Sequence, residues 1–424
     1  MSLNKAHKVA LGFYNLAWGL AIPAFRMNQR LARGFEERML QNVALTNADV
    51  WIQAASAGES KMAKAILGRL NPGKPVHVLL TSNTNQGMEI LERAIIDSGT
   101  NENGVTAHAA YCPFDRPSIM KRAVQLVRPR VMVLLESEIW PGLLAALKKF
   151  QSNILVLNGR MTPKSLSRYL IWPSLWHALR PDKILAISEN DAERFGRVFG
   201  RKYVEVMPNI KFDGVDNLDD RAGANNPLEK IIQPGTPFLV LGSVRKEEER
   251  LIEKIIVDIL DRCPKTIIGL FPRHMHRMAH WMETLDRMAI SWTTRSKMNA
   301  HAHNGTLILW DTFGELSSAY RLAKGAFVGG SLAPLGGQNF LEPLMCGITP
   351  VIGPSWENFA WTGREIVENG LVKVAANWLE VVNFLVENLE KPFPHENVRK
   401  AALRYLKDRQ GGTAKACRLI VEHL

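Results

Sequence analysis

Glu59, Glu136, Glu138 and Arg273 each follow closely on a short apolar run, the position at which a buried strand delivers side chains to a ligand. Glu59 stands in the turn Ser56-Ala57-Gly58-Glu59-Ser60, which Gly58 tightens. A carboxylate there could act as general base toward an acceptor hydroxyl, given enough desolvation to raise its pKa. The alternative is a solvated glutamate in a helix's first turn, where acids are favoured. Glu136 and Glu138 flank the end of the run 131–135, and strand alternation sends both side chains to one face. Two such carboxylates resist joint ionisation unless cations or hydroxyls engage them. They could orient a base, bond substrate hydroxyls, or cap the following helix. Lys211 and Arg273 could stabilise charge on a leaving phosphate, Arg bidentately; a plain surface charge is the alternative for either.

The stretch 325–354, GAFVGGSLAPLGGQNFLEPLMCGITPVIGP, supplies a different kind of chemistry. It predicts a strand over 326–328, a loop carrying Gly329, Gly330, Gly336 and Gly337, a helix from about Asn339, and a strand over 349–352. Glycine lets a backbone approach a ligand, and a helix start offers N–H groups to an anion. Glu342, about one turn into that helix, is placed to accept hydrogen bonds from a ribose diol. The loop thus reads as a nucleotide holder with Asn339 and Glu342 as its polar contacts, or else as a tight turn. Phe313, Gly314 and Glu315 start another helix and could offer a backbone N–H and a flat wall to a base.

The elements that must position these residues follow from the rest of the chain. Its 424 residues exceed one ordinary core, so two domains are expected. Short apolar strands over 50–55, 76–81, 107–111, 131–135, 154–157 and 184–187 alternate with helices up to Asp213. Residues 214–236 are polar and turn-rich; the alternation then restarts with strands over 238–241, 266–270 and 306–309. This pattern predicts an α/β protein of two Rossmann-like, doubly wound domains, over 34–213 and 237–424, facing each other across a cleft. A last helix over 398–424 is expected to pack back on the N-terminal domain.

The net charge of +12 favours an anionic partner: nucleic acid, a membrane surface or a phosphorylated substrate. The four cysteines are scattered, which suits a reducing compartment and argues against a zinc site. There is no HExxH, no paired Cys/His and no Asp-x-Asp with strand context, so no metal is predicted; nor is there a P-loop GK[ST] or a GxSxG elbow. Residues 1–33 hold five basic residues and no acidic one, around an uncharged run over 9–25. A cleaved signal lacks its small-residue site, and a full span is weak in a run holding Gly12, Asn15, Gly19 and Pro23. The preferred reading is an apolar, membrane-associated helix, with Phe13, Tyr14 and Trp18 at the interface and Lys5, Lys8, Arg26, Arg30 and Arg33 toward headgroups. The alternative is a helix docked on its own domain. Residues 160–181 mix Arg160, Lys164, Arg168 and Arg180 with Tyr169, Trp172 and Trp176, which suits an anionic amphiphile, RNA, or an ordinary amphipathic helix.

Taken together, Ser56-Ala57-Gly58-Glu59, Glu136-Ser137-Glu138-Ile139-Trp140-Pro141, Asn158-Gly159-Arg160, Ile210-Lys211-Phe212-Asp213, Phe271-Pro272-Arg273-His274, Asp311-Thr312-Phe313-Gly314-Glu315-Leu316 and the run 327–353 resemble the 3-deoxy-D-manno-octulosonic acid (Kdo) transferases of lipopolysaccharide synthesis. The resemblance spans nearly the whole chain. It implies a two-domain GT-B fold and metal-independent, inverting transfer of Kdo from CMP-Kdo to a lipid A precursor (lipid IVA), at the cytoplasmic side of the inner membrane. By that resemblance Glu59 is the general base, and Glu136 and Lys211 stabilise the transition state. Pro272, Arg273, Phe313, Gly314, Glu315, Asn339, Phe340, Leu341 and Glu342 bind CMP; Ser56, Gly58, Arg160, Lys164 and Arg168 are assigned to the acceptor. No cofactor, metal or nucleic-acid partner is expected. Gln338 replaces a common His, and Ser243-Val244-Arg245-Lys246 replaces a segment that usually carries Thr-His and an acid. The competing readings are another lipid-acceptor glycosyltransferase or sugar-nucleotide epimerase on the same fold, and a non-catalytic nucleotide-binding protein at the membrane.

Overall fold

A computed structural model of the chain describes residues 3–27, 32–41, 45–98, 104–214, 226–390 and 395–424. Arg30 and residues 215–225 of the expected linker lie outside these. The chain divides into two compact units, one formed by Met1–Gly214 with Arg409–Leu424 and the other by Val215–Asp408.

In the first unit, β1 (Val50–Ala54), β2 (Val76–Ser82), β3 (Val105–Tyr111), β4 (Val131–Leu135), β5 (Asn153–Gly159), β6 (Lys183–Ala186) and β7 (Val204–Val206) form one sheet. Their order is β3-β2-β1-β4-β5-β6-β7, each pairing parallel. The order reverses between β1 and β4, so the segments leaving these neighbours part to opposite faces and open a crevice at the strand ends. Alternation explains why β4 and the middle of β5 are apolar throughout. Met132, Leu134, Ile154 and Val156 face Leu143 and Leu147, while Val131, Val133, Leu155 and Leu157 face Ala63, Ile66 and Ile420.

The second unit repeats the plan with β8 (Phe238–Val244), β9 (Ile267–Pro272), β10 (Trp292–Thr294), β11 (Leu307–Leu309), β12 (Gly325–Val328), β13 (Val351–Ile352) and β14 (Lys373–Val374). The order is β10-β11-β9-β8-β12-β13-β14, again parallel, reversing between β8 and β12.

Several expectations need correction. The short strands β7, β10 and β14 lie at sheet edges and carry too few apolar residues to announce themselves. Part of the expected linker belongs to the second unit: Leu228, Ile231 and Ile232 are buried in its core. The single helix expected over 398–424 is two, His395–Lys407 and Gly412–Glu422. Gly411 breaks it at φ 105°, a conformation L side chains rarely adopt. Asp213 accepts from the N–H groups of Gly411, at 2.7 Å, and Thr413, which fixes the start of the last helix on the first unit.

The N-terminal helix Lys5–Phe25 has two faces. One docks on the first unit: Trp18 and Phe25 pack near Phe114, Tyr14 donates to Asp115 at 3.0 Å, and Asn15 accepts from the Ser118 N–H at 3.1 Å. The other exposes Val9, Phe13, Leu16 and Leu20, spaced as one helical stripe, with Leu20 84% exposed. Among the described residues no helix is long and apolar enough to cross a membrane, which corrects the spanning alternative.

Candidate functional site

The first unit gathers its charged residues at the β1/β4 reversal. Ser56 caps the helix Ala57–Arg69, accepting the Glu59 N–H at 3.3 Å while its hydroxyl donates to Glu59 Oε1 at 2.9 Å. The Ala55 N–H donates to Glu59 Oε2 at 2.7 Å. These reciprocal bonds turn the Glu59 side chain back toward the end of β1 instead of into solvent. It is 7% exposed, so the solvated alternative does not hold. Burial first, then the negative charge of Glu138, push its carboxyl up to about 7 against the lowering effect of the Ala55 and Ser56 bonds. Such a carboxyl is half ionised near neutrality and can take a proton there.

Glu136 and Glu138 reach this place by a route that strand alternation does not describe. The strand ends at Leu135, and Glu136 adopts a left-handed φ of 54°. At the end of β5, Asn158 does the same at 56°. Paired non-glycine residues in this region store strain and mark sites whose surroundings hold them there. Asn158 Oδ1 accepts the Ile210 N–H at 2.9 Å, which brings the short 3-10 turn Ile210–Phe212 to the strand ends. Lys211 then donates to Glu136 at 2.6 Å. Glu138 accepts from the Trp140 indole at 2.8 Å, and burial followed by the Glu136 charge raises its pKa. Neither glutamate caps the helix Pro141–Phe150. Asp115 does, accepting Gly142 N–H at 2.9 Å and Leu143 N–H at 2.7 Å. Burial raises Asp115 to about 7, against the pull of those bonds.

Of the residues assigned to an acceptor, Ser56 is tied to Glu59, whereas Gly58 is helical and exposed. A Cβ on Gly58 would meet only Ser56 Oγ, at 3.8 Å, so glycine is not needed to make that turn. Arg160 is half-buried; Lys164 and Arg168 are exposed on the helix Pro163–Tyr169. The expected amphipathic segment is thus two short helices, the second being Pro173–Ala178. Tyr169 and Trp176 pack edge to face at 4.7 Å, and Trp172 meets His7 of the N-terminal helix at 5.7 Å.

In the second unit the glycine loop leaves β12 beside the end of β8. Fully buried Glu248 organises it, accepting the N–H groups of Gly330, Ser331 (2.8 Å), Leu332 (2.7 Å) and Arg245 (3.3 Å). A Cβ on Gly329 would lie 2.6 Å from the Ser243 carbonyl, so this glycine serves the chain's own packing. The helix expected from Asn339 is only Leu341–Met345. Asn339 accepts from the Leu341 N–H at 3.2 Å, and Ser317 donates to Glu342. Phe340 is fully buried against Phe359, and Leu341 is also core, so only their backbone atoms are left for a ligand. Glu315 is saturated by its own chain. Arg295 grips it bidentately at 2.9 Å, and Trp310 and Thr312 each donate at 2.8 Å. Phe313, two residues before Glu315, is 83% exposed. Arg273 is exposed just after Pro272 at the end of β9, its N–H bonded to Val244 at 2.8 Å. Burial, then the charges of Arg245, His276 and Arg273, lower the pKa of His274, which marks a positive field suited to an anion.

Asp115 and Glu248 are not marked out by their sequence surroundings; each acts on a partner far along the chain. Among the described residues, no group of three or more His, Cys, Asp or Glu side chains is arranged to hold a metal ion.

A family model described as 3-deoxy-D-manno-octulosonic-acid transferase (kdotransferase) matches residues 26–214. A 3-deoxy-D-manno-octulosonic acid transferase of Bordetella pertussis is 30% identical over 382 residues, 87% of this chain and 86% of that one. Its Haemophilus influenzae counterpart is 26% identical, covering 88% and 87%. A solved glycosyltransferase from Rickettsia africae shares the fold, with TM-score 0.57 and 11% identity over 89% of this chain and 99% of that one. With two parallel-sheet α/β units of this type, and with a relative this similar along most of its length, the chain is a glycosyltransferase belonging to the 3-deoxy-D-manno-octulosonic acid (Kdo) transferase family.

Proposed function

We propose that this enzyme moves Kdo from CMP-Kdo to a hydroxyl of a lipid A precursor in lipopolysaccharide synthesis, with inversion at the anomeric carbon and without a metal. The observation that carries the reading is Glu59, a buried carboxyl at the β1/β4 reversal poised at about 7. The acceptor's O–H proton passes to Glu59 as the oxygen's electron pair bonds to the anomeric carbon. The bond from that carbon to the phosphate oxygen breaks, its pair leaving on CMP. Lys211, held by Glu136, supplies positive charge near the reacting groups of the first unit. For CMP, the second unit offers Arg273 to the phosphate, Glu342 to the ribose, and the backbone of Pro272, residues 313–315 and residues 339–341 to the remainder. The names of the Bordetella and Haemophilus relatives support the sugar; the donor nucleotide and the lipid acceptor are our reading.

We place the enzyme on the cytoplasmic face of the inner membrane through the stripe Val9, Phe13, Leu16 and Leu20, with Lys5, Lys8 and Arg26 toward anionic headgroups. Mass analysis of products from CMP-Kdo and a tetraacylated lipid A precursor, run beside UDP-linked donors, tests the reaction. Kdo addition that Glu59→Ala abolishes, with CMP affinity kept, is the expected result. Turnover with UDP-linked sugars only, or full activity in Glu59→Ala, would refute it. Flotation with anionic vesicles, lost in Leu16→Glu, tests the location.

A further inference from the structure

Beside the carboxylate loop of the first unit lies a cavity of about 190 Å³. Trp18 and Phe25 of the N-terminal helix form one wall; Phe114, Met120 and Leu143 form much of the rest. Trp140 joins it to the site, lining the cavity while its indole N–H holds Glu138. Arg38 also lines it, although only 2% exposed. Its guanidinium donates to the carbonyls of Cys112 (3.2 Å) and Asn83 (2.9 Å), and its Nε has no hydrogen-bond partner among the described residues. No carboxylate among them ion-pairs with it, and burial lowers its pKa. A buried cation whose Nε–H lacks an acceptor, in a pocket with aromatic and aliphatic walls whose other polar lining is Gln53, Asn83 and Asp115, suits a ligand that is apolar along its length and carries an oxygen at its head.

We propose that this cavity is an acyl subsite, taking the first part of one fatty-acyl chain of the acceptor with its carbonyl or hydroxyl oxygen turned toward Arg38. The proposal rests on the acceptor being a lipid. Three features favour an acyl chain: the apolar walls, the link through Trp140 to the carboxylates around Glu59, and the helix that both walls the cavity and exposes the apolar stripe. A cavity of this volume holds about six methylenes at the volume implied by methylene and cavity energetics.

The test is a series of one phosphorylated glucosamine disaccharide carrying no acyl chain, or chains of four, eight or twelve carbons, glycosylated from CMP-Kdo by the native enzyme. The ratio kcat/KM should rise about four-fold per methylene up to roughly eight carbons and then level off. Met120→Trp, which fills the cavity, should flatten the series while CMP affinity is retained. Equal kcat/KM at every chain length in the native enzyme, or an unaltered series in a folded Met120→Trp, overturns the subsite. Octyl glucoside, titrated calorimetrically below its micelle concentration, reads the cavity without any turnover. Saturable binding that Met120→Trp removes supports the subsite; no binding to the native chain overturns it. Should no acceptor be glycosylated from CMP-Kdo while octyl glucoside still binds, the proposed reaction fails, and with it the acceptor role of the cavity, which then stands only as a site for an alkyl chain.

Discussion

Glu59→Gln should separate stability from activity in a pH-dependent way. Holding a carboxyl at about 7 when its ordinary value is 4.5 makes the ionised form about 3 kcal/mol less favourable in the folded chain than in the unfolded one. Between those two values the folded chain binds the proton more readily than the unfolded chain. The contribution of Glu59 to stability is therefore fully present below pH 4.5 and is lost as the pH rises through about 7. Glutamine keeps the shape, an acceptor for the Ala55 N–H and a donor for Ser56, and removes the ionisation. Urea unfolding of the two proteins should then agree closely near pH 4.5, and at pH 8 the variant should be more stable by up to about 3 kcal/mol. Catalysis should move the other way. Native kcat/KM should rise with pH to a plateau whose midpoint is near 7, and the variant should lose transfer at every pH. A stability gap that is the same at both pH values, or a native acid limb centred near 4.5, would refute the account of Glu59.

The remaining predictions concern the residues that position the site. Asp115→Ala removes the acceptor for two N–H groups at the start of helix Pro141–Phe150 and the partner of Tyr14. It should cost about 1–2 kcal/mol in denaturant unfolding, and an unchanged midpoint would remove Asp115 from that role. Gly58→Ala places a Cβ at ordinary contact distance, 3.8 Å, from Ser56 Oγ on a helix and should stabilise by roughly 0.5–1 kcal/mol; a lower melting temperature would mean that the turn needs glycine after all. Glu248→Gln sets an amide nitrogen among the loop's N–H donors and leaves at least one buried donor unpaired, at about 1–3 kcal/mol. CMP titrated calorimetrically should bind about ten-fold more weakly to it, and an unchanged Kd would show that the glycine loop does not carry the nucleotide.

The parts legible in the sequence are those that local pattern decides. Strands β1, β4, β5 and β8 are buried on both faces by helices, so they must carry apolar runs, 50–52, 131–135, 154–157 and 238–241, and they read as such. The edge strands β7, β10 and β14 are covered less and are two or three residues long, so their composition carries no comparable signal. The site divides in the same way. Glu59 was visible because a carboxylate following a strand is informative whatever lies around it. The turn-tightening role given to Gly58 does not hold for a related reason: glycine after a strand suggests a turn, yet the Ser56 cap starts the helix one residue earlier.

What could not be read is the set of groups that hold the visible residues in place. Lys211 reaches Glu136 only because Asn158, 52 residues before Ile210, accepts that residue's N–H. Glu248 gathers N–H groups from 82 to 84 residues away. Asp115 caps a helix that begins well after it, and also takes the Tyr14 hydroxyl from 101 residues before it. Each of these acceptors is buried, and a buried acceptor is tolerated only when donors converge on it. Their identity is therefore imposed by the assembled backbone and not by their sequence neighbours. The N-terminal helix follows the same logic. Its uncharged run was plain to read, but which face docks is decided by Phe114, Asp115 and Ser118, and the face left over is the apolar stripe on which the membrane proposal depends.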